Sequence, residues 1–151
     1  MSDATDTEFT SEEILSQAQG NATGLALASI AYMKERNLAA DEYIAFVGSR
    51  FASGWEDLRG QPVREIARMA ALNFVSVGGT LLSLSGDEAR AEVLITGWPA
   101  KESLDELELT QRDSEPMWNI LGPIMEHLGI RYAWQRQDEA VRMTFERVRT
   151  Q

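Results

Sequence analysis

Residues 80–98, TLLSLSGDEARAEVLITGW, are the stretch that decides the fold. Apolar and polar residues alternate on both sides of Gly86-Asp87-Glu88, a segment with the composition of a tight turn. The apolar positions are Leu82 and Leu84 before the turn and Ala89, Ala91, Val93 and Ile95 after it. A period of two predicts a β-hairpin with one apolar face. Because a lone hairpin is barely stable, we expect the flanking helices to cover that face.

A second hairpin is predicted near the end of the chain, with strands at 130–137 and 140–148 and the turn Asp138-Glu139 between them. Helical patterns begin at Ser11, near Ala40, at Pro62 and at Pro116, and a short helix is expected around 104–109. The predicted order is ααα-ββ-α-ββ. This order indicates an α+β fold in which helices pack on one face of an antiparallel sheet made of two hairpins. The order of the four strands stays open.

The ends of the helices carry recognisable signals. Thr10 and Glu13 form a capping box before a helix over 11–36, and Asn37 suits its C-cap. The middle of this helix, residues 22–31, is rich in alanine, glycine and serine, which permits close approach of another helix or leaves space. Pro123 lies inside the last helix, 116–128, and predicts a kink or a broken first turn.

Two of the helices show an apolar stripe at helical spacing. The stripe of the second helix comprises Ile44, Val47, Phe51, Trp55 and Leu58. The stripe of the third comprises Val63, Ile66, Met69, Ala70, Asn73, Phe74 and Val77. Asn73 is the polar residue among them, and it can bond to backbone, to water or to a ligand.

Length and composition bound the class of protein. A chain of 151 residues fits one domain, predicted over 10–151 after a flexible acidic tail at 1–9. The absence of cysteine excludes disulfides and thiolate metal sites and fits a cytoplasmic location. No apolar run has the length of a membrane span. A net charge of -10 argues against nucleic acid and against anionic lipid surfaces as partners.

No motif identifies a catalytic chemistry. His127 is the only histidine, and its neighbour Glu126 points about 100° away around the helix, so the two do not converge on one ion. The carboxylate pairs lie at predicted helix ends or in turns, where capping and solvation explain them. There is no Gly-x-Ser-x-Gly elbow, and Gly78-Gly79 lacks the lysine of a phosphate loop. We therefore predict no catalytic residue, no metal site and no cofactor.

The aromatic residues are the more informative set, because tryptophan and tyrosine line ligand pockets as well as cores. The chain has 4 tryptophans and 3 tyrosines. Core packing explains most of them, and a pocket between the small-residue helix and the sheet is the alternative. The predicted ligand-binding residues are Phe51, Trp55, Asn73, Trp98, Tyr132 and Trp134.

A family resemblance enters through four short segments and the order of the elements. The segments are Phe46-x₄-Phe51-x₃-Trp55, Leu84-Ser85-Gly86-Asp87-Glu88-Ala89-x-Ala91, Gly97-Trp98-Pro99 and Glu126-His127-Leu128-Gly129. Over residues 38–147 the chain resembles the vinyl-reductase-type small-molecule-binding domain, whose superfamily includes the sensor domains of phenol-responsive regulators and the TRAPP trafficking subunits. The resemblance implies a ligand pocket between helices and sheet. Many members carry metal-binding cysteines near the last hairpin, and since this chain has none, the resemblance implies neither a metal site nor vinyl-reductase activity here.

Three functional hypotheses follow. The first is a non-catalytic module that binds or senses a small apolar or aromatic molecule. The second is a homodimeric interaction protein that pairs through the alanine- and glycine-rich face of residues 22–31, without a ligand. The third is a small hydrolase, from a weaker similarity to the aminothiazoline-carboxylate hydrolase-like group, for which no catalytic residue is found. The sequence leaves enzymatic activity open and favours a protein without it.

Overall fold

The computed structural model describes residues 8–149, and within them the helices and strands follow the predicted order. The elements are α1 (Ser11–Glu35), α2 (Ala40–Phe51), α3 (Val63–Ser76), β1 (Thr80–Gly86), β2 (Arg90–Thr96), α4 (Lys101–Glu106), α5 (Gln111–Ser114), α6 (Leu121–His127), β3 (Ile130–Gln137) and β4 (Ala140–Arg147). A first 3₁₀ helix, Ala52–Leu58, continues α2, and a second, Glu115–Ile120, joins α5 to α6. The predicted α+β class with two hairpins is confirmed. Residues 1–7 of the predicted tail lie outside the described residues.

The four strands form one antiparallel sheet in the order β1-β2-β4-β3, so β2 and β4 join the two hairpins. Residues that face each other across this central pair are buried: Ala91 with Phe145, Val93 with Met143 and Ile95 with Val141. Helix α3 packs against β1 and β2, and α6 packs against β3. The helices therefore cover one face of the sheet, as the period of two predicts.

Strand β1 departs from the predicted alternation. Leu81 pairs with Ile95 and Leu84 pairs with Val93, which leaves Leu82 as an extra residue in a β-bulge. Directly paired residues point to the same side of a sheet, so Leu81 and Leu84 share the covered side. Leu82 is 53% exposed, so the bulge interrupts the simple alternation that the sequence predicts for β1.

Helix α1 begins at the predicted capping box. The Thr10 backbone N–H donates to the Glu13 carboxylate at 2.7 Å, and the Glu13 N–H donates to the Thr10 hydroxyl at 3.1 Å. At the other end Arg36 is the C-cap, and Asn37 follows it with a left-handed φ of 55°. Asn37 therefore has the C-terminal role expected of it, one position later than predicted.

Helix α2 and the first 3₁₀ helix bury a narrower stripe than predicted. Ile44 is buried, but Phe51 is 55% exposed, so its assignment to the buried stripe is wrong. The change from α to 3₁₀ geometry after Phe51 alters the rotation per residue and ends the simple spacing. Gly48 is buried, and a Cβ there would lie 2.5 Å from the Ile120 carbonyl oxygen, so glycine allows α2 to approach the second 3₁₀ helix.

The segment between the hairpins also differs from the prediction. The short helix expected around 104–109 forms earlier, as α4, and α5 forms where the pattern predicts a loop, behind a capping box of Thr110 and Asp113. The predicted helix 116–128 is divided into the second 3₁₀ helix and α6. Pro123 falls in the first turn of α6, where its missing N–H costs no helical hydrogen bond. None of the helices in residues 8–149 combines the length and the apolar character that a membrane crossing requires.

Candidate ligand-binding cavity

An apolar cavity of about 180 Å³ lies where the helical layers meet. Its wall is built by α1, by the end of α2 with the first 3₁₀ helix, by α3, and by the second 3₁₀ helix with the start of α6. The lining residues are Ala22, Ala26, Phe51, Trp55, Asn73, Phe74, Val77, Trp98, Met117, Ile120, Leu121 and Ile124. Asn73 is the one residue in this lining with a polar amide.

Four of the six predicted ligand-binding residues meet at this cavity: Phe51, Trp55, Asn73 and Trp98. Phe51 and Trp55 are neighbours at the end of α2 and in the first 3₁₀ helix, and the fold brings them together with Asn73 of α3 and with Trp98. Phe51 and Asn73 are exposed and lie at the rim, whereas Trp98 is buried in the wall. The exposure of Phe51 that contradicts a core role therefore places it at the entrance.

Alanines of α1 provide the space on one side of the cavity. Ala22 and Ala26 lie one turn apart and both line it. The small residues of 22–31 do not form one face, because Ala28 and Ser29 line a different surface groove. A Cβ built on Gly24 would meet no atom within 4 Å, so this glycine serves no close approach within the chain.

Trp98 is held in one orientation by a buried hydrogen-bond chain. Its indole N–H donates to the Thr23 hydroxyl at 3.1 Å, and that hydroxyl donates to the Val77 carbonyl at 3.1 Å. The Trp98 ring also meets Phe74 edge-on, with centroids 5.5 Å apart. The wall at Trp98 is therefore rigid, and its indole N–H is already used within the protein.

Two polar groups at the cavity keep unused hydrogen-bonding capacity within residues 8–149. The Asn73 side-chain nitrogen donates to the Met69 carbonyl of its own helix at 2.9 Å, and its Oδ1 accepts no hydrogen bond. The Trp55 indole N–H is half-buried, and it makes no hydrogen bond with any described residue. Two of the lining residues thus carry an unused acceptor and an unused donor, and a few polar groups on a mostly apolar lining are the usual composition of a small-molecule site.

Trp118 lies immediately behind the wall. Its ring is fully buried and stacks on Phe74 with centroids 4.3 Å apart, and it meets Trp98 edge-on at 5.7 Å. The Trp118 indole N–H is buried and has no acceptor in the described part of the chain. A buried donor without an acceptor costs about 1–3 kcal/mol, so this group stands out in the core.

The other two predicted residues, Tyr132 and Trp134, are not part of this lining. Both lie on β3 and hold the second 3₁₀ helix against the sheet. The Tyr132 hydroxyl donates to the Trp118 carbonyl at 2.8 Å, and the Trp134 indole donates to the Asn119 side chain at 2.6 Å. Burial raises the pKa of Tyr132. The contacts that the structure gives these two side chains are therefore structural ones.

The single histidine has a carboxylate partner that sequence spacing does not reveal. His127 Nε2 lies 2.5 Å from the Glu56 carboxylate, and Arg59 Nε donates to the other oxygen of Glu56 at 2.7 Å. The hydrogen bond from Arg59, followed by that from His127, lowers the pKa of Glu56 to about 2. A carboxylate with so low a pKa is a weak general base. The cluster is exposed and links the first 3₁₀ helix to α6.

Other chemistry receives no support from the geometry. In the described ranges no three histidine, aspartate or glutamate side chains converge as a metal site would require. The buried Ser114 hydroxyl donates to the Gln111 carbonyl at 2.6 Å, so it is occupied by its own helix. The apolar cavity, in contrast, joins four of the predicted residues.

Comparison with known proteins returns no match: no protein-family model matches the chain, and no curated protein sequence matches it.

Proposed function

We propose that the protein is a non-catalytic, cytoplasmic module that binds a small, largely apolar ligand in the cavity beside Ala22 and Ala26. The observation that carries the proposal is the meeting of Phe51, Trp55 and Trp98 around one space of about 180 Å³. An apolar cavity of about 150 Å³ in another protein holds benzene, so this one suits a single aromatic ring. The resemblance to the vinyl-reductase-type domain implies binding of a small molecule, which supports the ligand class; it implies a pocket between helices and sheet, whereas this cavity is lined mainly by helical residues and Trp98.

The unused polar groups indicate the kind of ligand. Asn73 Oδ1 can accept from a hydroxyl or an N–H, and the Trp55 indole can donate to an oxygen. Phenol and indole are therefore better probes than benzene. Asn73 is exposed, so a hydrogen bond to it contributes less than one made in the sealed interior.

The test compares a variant that fills the cavity with one that adds the same side chain elsewhere. In Ala26→Leu the new side chain occupies the cavity, so saturable binding of phenol or indole, measured by calorimetry, should disappear. Ala45→Leu is the matched control, because Ala45 is exposed on α2 and does not line the cavity. Far-UV circular dichroism checks that both variants are folded, since an added side chain can overpack a core.

A second pair separates the cavity wall from the rest of the core. Trp98→Phe changes a lining residue and should weaken binding of the probes, whereas Trp134→Phe changes an indole on β3 and should leave binding unchanged. Failure of the unmodified protein to bind any ring-sized apolar probe saturably would refute the proposal. Equal binding by Ala26→Leu and the unmodified protein would refute this location.

A further inference from the structure

The N-terminal half of α1 buries no side chain against the rest of the described chain. Over residues 11–22 no side chain is buried, and Ile14 and Leu15 are 58% and 56% exposed. A helical segment of this length is marginal in water unless something packs on its apolar face. This half of α1 therefore exposes apolar side chains close to the acidic N-terminal end of the helix.

The stripe continues along the outer side of the whole helix. Ile14, Ala18, Leu25 and Tyr32 fall within about 40° of one another around the axis, at about 100° per residue. The buried residues Leu27 and Ile30 lie on the opposite side. Helix α1 thus has an inner apolar face that packs on the domain and an outer apolar face that packs on nothing described.

The C-terminal half of this outer face borders an open groove between α1 and α2. Leu25 and Tyr32 line it from α1, Leu38 from the connection, and Tyr43 and Phe46 from α2. These five side chains are between 41% and 73% exposed. One molecule therefore carries both an uncovered helical ridge, residues 11–22, and a groove of suitable apolar character.

We propose that a second copy of this chain covers this surface, with the two α1 helices antiparallel and the ridge of each copy in the α1–α2 groove of the other. The stripe is arranged for this symmetry, since Ile14 and Tyr32 lie equally far from the middle of the helix at Thr23. A twofold axis there pairs Ile14 with Tyr32 of the other copy, and Ala18 with Ala28. This arrangement differs from the predicted pairing through the small residues of 22–31, because Ala22 and Ala26 line the cavity and Ala28 alone of the alanines is assigned to the interface.

The charges at the two ends of α1 are complementary in this arrangement. No lysine or arginine precedes Lys34, so the charged side chains at the N-terminal end of α1, including Glu8, Glu12 and Glu13, are all acidic. At the groove, Arg36 lies over the Tyr32 ring at 3.8 Å and Arg50 over the Phe46 ring at 5.1 Å. Neither guanidinium has a carboxylate within 4.0 Å in residues 8–149.

The apolar area is close to what a stable dimer needs. A large aromatic or aliphatic side chain that is about half exposed presents on the order of 100 Å² to solvent. Ile14 and the five large groove residues together therefore expose on the order of 600 Å² per copy, near the roughly 800 Å² per partner of a standard interface once the rim is added. Glu42 is the one charged residue in the groove lining, and Arg36 and Arg50 lie beside the groove, over the Tyr32 and Phe46 rings.

The first test measures the mass of the full chain by analytical ultracentrifugation at micromolar concentration. The unmodified protein should be a dimer, and Leu25→Glu should raise the dissociation constant by about 100-fold or more, because it buries a carboxylate twice near the axis. Leu72→Glu is the control: Leu72 is 48% exposed on α3 and lines neither the groove nor the cavity. Far-UV circular dichroism confirms folding of each.

The second test uses charge reversal and distinguishes the antiparallel arrangement from others. Arg36→Glu/Arg50→Glu makes both ends acidic, and Glu8→Arg/Glu12→Arg places two positive charges at the end that meets Arg36 and Arg50 of the other copy, so each variant alone should dimerise more weakly. Their mixture should form heterodimers in native mass spectrometry, since both contacts are then complementary. A monomeric unmodified protein at about 100 µM, an unaffected Leu25→Glu dimer or the absence of heterodimers would overturn the proposal.

Discussion

In the C-terminal half of α1, Leu27 and Ile30 are almost fully buried, whereas in the N-terminal half Ile14 and Leu15 are more than half exposed. Both halves belong to one continuous helix with a capping box at its start. The difference shows that a local signal, here the capping box, can start a helix well before the part of it that packs on the core. The C-terminal half is stabilised by packing within the chain. The N-terminal half exposes apolar side chains, which only another molecule's surface would bury.

The largest expected effect comes from the same substitution in the two halves. Leu27→Ala removes a fully buried side chain and should lower the free energy of unfolding by about 2–5 kcal/mol. Leu15→Ala should change it by less than about 0.5 kcal/mol, because Leu15 is exposed. Urea titration followed by circular dichroism measures both. A cost for Leu15→Ala as large as that for Leu27→Ala would show that the comparison between the halves is mistaken.

An intermediate effect is expected at Thr23, where the two halves meet. Thr23→Val keeps the shape of the side chain, but it leaves the Trp98 indole and the Val77 carbonyl without their hydroxyl partner. The expected cost is about 1–3 kcal/mol of unfolding free energy. Thr144→Val is the matched control on the open face of the sheet, where the cost should stay within about 0.5 kcal/mol. Equal costs at the two threonines would mean that the buried chain does not hold α1.

The smallest effect concerns the ion pair at the C-terminal end of α1. Lys34 Nζ lies 2.8 Å from the Asp113 carboxylate, and its hydrogen bond, followed by that from the Thr110 N–H, lowers the pKa of Asp113. Because the folded pKa is depressed, this stabilisation is present above the unfolded value of about 3.9 and is lost as pH falls through the folded value. Lys34→Met should cost about 0.2–1 kcal/mol at neutral pH.

The same pair is tested by repeating the urea titrations in acid. Below the folded pKa of Asp113, the difference in unfolding free energy between Lys34→Met and the unmodified protein should vanish. Lys101→Met is the control, since the ion pair between Lys101 and Asp105 lies on the exposed surface of α4 and does not connect α1 to another element. A Lys34→Met difference that persists unchanged in acid would rule out the ion pair as its cause.

Much of the fold could be predicted from patterns of residues that lie close together in the chain. The second hairpin is predicted to within one residue, because alternation and the Asp138-Glu139 turn both act locally. The bulge at Leu82 could not be predicted from such a pattern, since it arises from pairing with β2. No such pattern reveals the exposure of Phe51 either, because Phe51 lies seven residues after the buried Ile44, on the same face of α2 by spacing, and only the surrounding segments decide that it lies at the cavity rim.

Part of the candidate site could also be predicted from the sequence. Residue type alone selects tryptophan and phenylalanine as candidates, and Trp55 and Trp98 do line the cavity. Residue type cannot separate them from Tyr132 and Trp134, whose polar atoms bond to the second 3₁₀ helix. The contact of His127 with Glu56, 71 positions away, has no signal in the spacing of either residue.

The sequence by itself determined the starts of the first three helices to within a residue, the two hairpins and the α+β class, because caps, turns and periodicity depend on residues only a few positions apart. The tertiary structure alone decided the strand order β1-β2-β4-β3, the cavity beside Ala22 and Ala26, and which face of α1 stays uncovered. These features depend on contacts between distant segments. Such contacts are selected by the burial of whole faces against one another, and burial is a property that no short stretch of sequence carries.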